Sequence, residues 1–116
     1  MAFAERFEDL DIWQESRRLN KETYFAFKGC RDFYYRDQVG RAALSVMNNI
    51  AEGFERRTDK DFAHFLDLAK SSSGEVRSIT YAAEDVDILD TSKAAELRGA
   101  YKTLSKRIAA FQKYLR

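Results

Sequence analysis

The chain has 116 residues and a mass of 13.5 kDa, the size of one domain, and it can bury on the order of 65% of the surface its unfolded form exposes. Hydrophobic residues make up 45% and charged residues 34%, with no proline and five glycines, a globular composition that argues against disorder and against an all-β sandwich built on Pro/Gly turns. Twenty Lys and Arg against nineteen Asp and Glu leave a formal net charge of +1, so a polyanion-binding role has to come from where the charges lie.

The hydrophobic spacing is helical almost throughout. A first segment is expected over about 11–28, with Ile12, Ser16, Leu19, Thr23 and Phe27 on one face and Trp13 and Tyr24 widening it. Gly29 to Asp32 is the expected turn, since glycine commonly follows a helix end. A second segment over about 35–54 repeats the spacing with Val39, Ala43, Val46, Ile50 and Phe54, and Glu55 to Asp59 reads as a loop. Thr58, three residues before Asp61, resembles a capping box and opens a third segment over about 59–89. Its stripe is Phe62, Phe65, Leu66, Ala69, Ser72, Ser73, Val76, Ile79, Ala83 and Val86. Ser71-Ser72-Ser73-Gly74 has low helix propensity. The stripe keeps phase across it, so one long helix with a patch of small residues is expected rather than a break. Asp90-Thr91-Ser92 supplies N-cap chemistry for a fourth segment, about 93–115, with Leu97, Tyr101, Leu104, Ile108, Phe111 and Leu115 on a near-heptad seam. Four amphipathic helices joined by short connections imply an all-α, antiparallel up-down-up-down four-helix bundle filling one domain, 1–116.

No apolar run approaches the roughly 20 residues of a membrane span, and residues 1–10 carry charges where a signal peptide is apolar. Cys30 is the only cysteine, which fits a reducing cytoplasm.

Bundles can house metal sites, but a di-metal carboxylate site needs a Glu-x-x-His pair on each of two helices. His64 is the only histidine, preceded at that offset by Asp61, and a partly exposed histidine on a helix flank is the better reading. Cys30 has no activating base beside it in sequence, and the glycines are too scattered for a phosphate loop. Neither catalysis nor a cofactor or metal is expected.

Polar residues on helix flanks are more informative. Ser45, Asn49 and Glu52 recur at three- and four-residue steps on the second segment, with Arg41 one turn earlier, and the third segment offers Ser72 and Glu75. They read as a hydrogen-bond network that fixes helix register, with Arg41 or Arg56 pairing Glu52, or as a polar contact surface.

Charge placement is the clearest asymmetry. After Glu96 there is no acid, while Arg98, Lys102, Lys106, Arg107, Lys113 and Arg116 follow, and all but Arg107 cluster on one face at about 100° per residue. Bases at a helix C-terminus complement its dipole, but Arg98 and Lys102 lie near the helix start. In an up-down bundle Arg56, Arg57 and Lys60 share an end with Lys106, Lys113 and Arg116, while Glu84, Asp85, Asp87 and Asp90 collect at the other. A charge dipole is expected, weakened by Glu5, Glu8, Asp9 and Asp11 near the basic end. Arg17, Arg18, Lys21 and Lys28 read as a solvated face. Nine Phe, six Tyr and one Trp exceed the needs of a Leu-rich core, and the tyrosines suit surfaces half-buried against a partner copy.

The opening Phe7-Glu-Asp-Leu-Asp-Ile-Trp13-Gln and the segment from Gln38 to Arg56, with its Arg41-Ala-Ala-Leu-Ser45 and Asn49-Ile-Ala-Glu52-Gly53 stretches, resemble the small bacterial four-helix-bundle family of 23S rRNA intervening-sequence proteins. Phe62, Phe65, Leu66, Ala69, Ser72 and Glu75 fit the pattern of its third helix. Met47-Asn48 departs where relatives often carry a proline before the asparagine, and Ser73-Gly74 where they tend to have a larger apolar residue and alanine. The resemblance implies a bundle assembled as a ring-like homopentamer. It also implies kinship with the accessory variability proteins of diversity-generating retroelements, which bind nucleic acid and a reverse transcriptase through a basic pentameric barrel. No enzymatic activity follows from it.

Two functions are compatible with these residues. One is a cytoplasmic RNA-associated homo-oligomer that contacts nucleic acid through Arg56, Arg57, Lys60, Arg98, Lys102, Lys106, Lys113 and Arg116, with Tyr114 as the one candidate for base stacking. The other is a protein-interaction scaffold without nucleic acid. There Arg41, Ser45, Asn49, Glu52, Ser72 and Glu75 organise the bundle or subunit contacts, and the basic strip docks an acidic protein.

Overall fold

The computed structural model describes residues 4–115. They form four helices, α1 (Asp11–Phe27), α2 (Phe33–Phe54), α3 (Asp59–Asp85) and α4 (Thr91–Gln112), with short 3-10 turns at Phe7–Asp9 and Lys113–Leu115 and no strand among the described residues. Each helix packs against its two sequence-cyclic neighbours, α1 on α2 and α4, α3 on α2 and α4, while among the described residues no backbone of a diagonal pair approaches within 8 Å Cα to Cα. Pairings such as Glu84 with Arg98 and Asp67 with Gln112 run in opposite directions along α3 and α4, so neighbours are antiparallel, as in a four-helix bundle. The rod measures 46 × 20 × 19 Å.

Local chemistry sets the helix boundaries. Asp32 accepts the Tyr34 N–H at 3.1 Å, Thr58 accepts the Asp61 N–H at 3.1 Å, and Asp90 accepts the Lys93 N–H at 2.7 Å. Each is a side-chain N-cap. The Asp32 cap starts α2 at Phe33, two residues before the expected start, and the Asp90 cap starts α4 at Thr91. Helix α4 gives way at Lys113 to a 3-10 turn instead of running on to Leu115.

The third helix is continuous through Ser71-Ser72-Ser73-Gly74, as the phase of its stripe requires, but it stops at Asp85 rather than near residue 89. Asp87 adopts φ 64°, and the Ile88 N–H reaches the Ala83 carbonyl at 2.8 Å while the Asp87 N–H reaches that of Glu84 at 3.1 Å. That is a Schellman ending with aspartate in the left-handed position. Val86, placed on the buried stripe by its spacing, is consequently exposed.

The predicted stripes form the core. Leu19, Val46, Ile50, Leu66, Val76, Leu104 and Ile108 are fully buried. Tyr101, 1% exposed, is the largest side chain among them. Its hydroxyl meets Thr23 Oγ1 at 2.8 Å, and because Thr23 gives its own proton to the Leu19 carbonyl, the tyrosine is the donor. Burial pushes the Tyr101 phenol up to about 12.

Glycine is required at one helix contact. A Cβ on Gly53 would stand 2.7 Å from Phe65 Cβ and 2.8 Å from Phe62 Cδ1, so the end of α2 comes this close to α3 only without a side chain.

Candidate functional site

Hydroxyl-bearing residues stitch α3 to both of its neighbours. Ser72 Oγ donates to Ser45 Oγ at 2.8 Å, and Asn49 Nδ2 donates to Ser45 Oγ at 2.9 Å and to the Ser45 carbonyl at 2.8 Å. Toward α4, Ser73 Oγ donates to the Tyr101 carbonyl at 3.0 Å and accepts from Ser105 Oγ at 2.9 Å. The run with the poorest helix propensity is thus where α3 is most firmly held, because small side chains let the helices approach and their hydroxyls bond across the gap. Every buried side-chain polar atom among the described residues has a partner.

Of the polar network expected from sequence, Ser45, Asn49 and Ser72 come together. Arg41, Glu52 and Glu75 point to solvent outside it, and Glu52 forms no ion pair with either Arg41 or Arg56. Those three flank the trio on the open face of α2 and α3.

The basic residues divide by environment. Lys102, Lys106 and Lys113 are exposed on the outer side of α4 and its terminal turn, and none is ion-paired among the described residues. Arg98 is different: its guanidinium donates to Glu84 at 2.9 Å and lies 3.9 Å above the Tyr81 ring, leaving the side chain 16% exposed. It braces α4 against α3, and contact with a phosphate would require breaking a half-buried, charge-assisted bond. Arg116 lies outside the described residues.

At the α2–α3 turn, Arg56, Arg57 and Lys60 are exposed, with the Arg56 guanidinium 5.1 Å above the Phe65 ring. Glu55, Asp59 and Asp61 are exposed among them, and acids suit the first turn of α3, where the helix dipole is positive. At the other end, Lys28, Arg31 and Lys93 share the surface with Asp85, Asp87 and Asp90. Both ends therefore carry charges of both signs. Positive charge instead runs along the outer side of α4.

Two cations that sequence reading passed over extend that strip. Lys70 and Arg77, seven residues apart on α3, lie on its α4-facing edge. Lys70 pairs with Asp67, which also takes a bond from Gln112 of α4, and Arg77 lies two turns further along the same face. Their two-turn spacing, which puts both on one face of a helix, was the available signal.

The first helix also departs from a uniform solvated face. Arg18 is held between Glu15 at 2.8 Å and Glu22 at 2.6 Å. Its hydrogen bond holds the Glu15 carboxyl below the usual range and raises the guanidinium further. Arg17 lies 5.7 Å from the Trp13 ring. Lys21 and Lys28 border a cleft of about 1000 Å³ between α1 and α2.

His64 is exposed beside Phe65, and the Cys30 thiol contacts the Asp32 carbonyl at 3.4 Å. Among the described residues no three His, Cys, Asp or Glu side chains are grouped to hold an ion. No helix among them is long and apolar enough to cross a membrane.

Four antiparallel helices with polar cross-bonds and a cationic outer strip define a small helical bundle protein. The family model of the 23S rRNA-intervening sequence protein matches residues 8–110, and the chain belongs to that family. The match takes in all of α1, α2 and α3 and most of α4. A search of the curated proteins finds no match.

Proposed function

We propose that this chain is a non-enzymatic, RNA-associated homo-oligomer of the cytoplasm, assembled as a pentamer, whose cationic strip on α4 contacts phosphates. The observation that carries this reading is the part of α4 and its terminal turn after Glu96, which holds no acid and where Lys102, Lys106 and Lys113 are exposed and without an ion pair among the described residues. Lys70 and Arg77 widen the strip, and Arg56, Arg57 and Lys60 at the α2–α3 turn continue it, with Arg98 as a brace. One copy has a net charge of only +1. Repeating the strip around a ring multiplies phosphate contacts without any new chemistry. The open face carrying Arg41, Glu52 and Glu75 beside the Ser45–Asn49–Ser72 network is the proposed subunit contact. Unpaired charges of both signs around a small-residue centre suit a self-complementary surface.

Replacing Lys102, Lys106 and Lys113 together by Glu tests the placement. Affinity for a structured RNA should fall at least about tenfold at moderate salt, with helicity and assembly mass unchanged. Unaltered affinity in the folded variant would remove the strip from the account.

One observation favours the scaffold reading instead. Tyr81 and Tyr114 are large exposed aromatics, and such residues mark protein contacts. An acidic protein that stays bound in fixed stoichiometry after nuclease treatment would support it.

A further inference from the structure

The cleft between α1 and α2 is lined by Lys21, Lys28, Arg36 and Arg41 against a single carboxylate, Asp37. None of the four cations is ion-paired among the described residues, in contrast to Arg18 one turn from Lys21 and to Arg98 on α4. Aromatic rings stand among these charges. Tyr24, on the cleft wall, is 62% exposed, and Phe25 beside it is open to solvent with its ring 5.3 Å from that of Tyr24. Phe33 is exposed under the Arg36 guanidinium at 4.5 Å, and Lys28 Nζ lies 5.6 Å from the Phe25 ring. Bundle packing accounts for none of these exposed rings.

Cations without ion-pair partners around an exposed ring in a groove, two of them also beside the exposed Phe25 and Phe33, suit single-strand binding: phosphates meet the charges, and a base stacks on the open ring with little regard to sequence. At about 1000 Å³ the cleft reaches the upper end of the roughly 300–1,000 Å³ typical of small-ligand sites, which suits a chain of nucleotides better than one. A duplex keeps its bases stacked inside and cannot use the rings. We infer that the α1–α2 cleft holds a segment of single-stranded RNA, with Tyr24 as a stacking platform and Lys21, Lys28 and Arg36 on the flanking phosphates. The site is separate from the α4 strip and shares with the proposed function only the premise that this chain meets nucleic acid.

The test is fluorescence anisotropy of the full chain with an unstructured oligouridylate of about a dozen nucleotides, run in parallel with an RNA hairpin. Tyr24→Ala should weaken oligouridylate binding about tenfold, with recovery in Tyr24→Phe, and leave the hairpin affinity in place. Lys21→Gln with Lys28→Gln should flatten the log-affinity against log-salt slope by about 1.4, the value for two single-strand phosphates. The oligouridylate should also outcompete uridine monophosphate. Wild-type oligouridylate affinity in a folded Tyr24→Ala variant would overturn the cleft site, as would equal affinity for the mononucleotide. A fall in light-scattering mass in that variant would also overturn it, by making the cleft a contact between copies. Because the hairpin reports on α4, failure of the cleft and failure of the proposed function give different results.

Discussion

The α3–α4 and α1–α2 seams join neighbouring antiparallel helices in the same rod, yet they are finished in opposite ways. Across α3–α4, Ser73, Ser105, Gln112 and Arg98 each make a bond to the facing helix or through a side chain on it, and the large ring at that level, Tyr101, is buried to 1%. Across α1–α2, a cleft stays open beside unpaired cations, and Tyr24 is 62% exposed. A tyrosine one turn below the end of α1 and a tyrosine in the middle of α4 thus have different roles because of what each faces. Tyr101 faces Thr23, a hydroxyl already committed to its own helix and so able to accept. Tyr24 faces charges and solvent.

Breaking the closed seam should have the largest effect. Tyr101→Ala removes a buried ring and should cost about 3–5 kcal/mol, measured by urea unfolding. Alkaline titration reaches the same residue without mutation. The folded phenol titrates near 12 against an ordinary value near 10. Its contribution is therefore fully present below about pH 10 and is lost as the pH rises toward 12, a fall on the order of 2 kcal/mol that Tyr101→Phe should abolish. Gly53→Ala drives a methyl group into Phe62 and Phe65 where α2 meets α3 and should cost about 1–3 kcal/mol. At the open seam, Tyr24→Ser should change stability by less than about 0.5 kcal/mol. A large loss there would mean the two seams are not different in kind.

Much of this architecture was legible in the residue order, for identifiable reasons. Buried residues at steps of three and four mark the helix faces, and Thr58 and Asp90 announce the starts of α3 and α4 because their short side chains can bond backbone N–H groups three residues on. The continuity of α3 through its serines was legible from phase. Its early end was not, since aspartate at residue 87 is a weaker sign of left-handed backbone than glycine. In the candidate site, Ser45, Asn49 and Ser72 were found through spacing, because their bonds run within one helix or to its nearest neighbour. Arg98 was grouped with the solvent-facing lysines, as its commitment to Glu84 and Tyr81 depends on the α3–α4 register. Lys70 and Arg77 were missed although their spacing puts both on one face of α3. The α1–α2 cleft was hidden because a basic helix face looks the same in sequence whether solvent or a groove lies beside it.

The central claim is that copies of the α4 strip act together on RNA phosphates. A titration of the purified oligomer, its mass fixed by light scattering, against structured RNA across a salt series tests it most directly. The account predicts a log-affinity against log-salt slope steeper than about −7, beyond what the strip's eight cations in one copy (Arg56, Arg57, Lys60, Lys70, Arg77, Lys102, Lys106 and Lys113) supply at about 0.9 per phosphate. An intact oligomer that binds no RNA at low salt would contradict it.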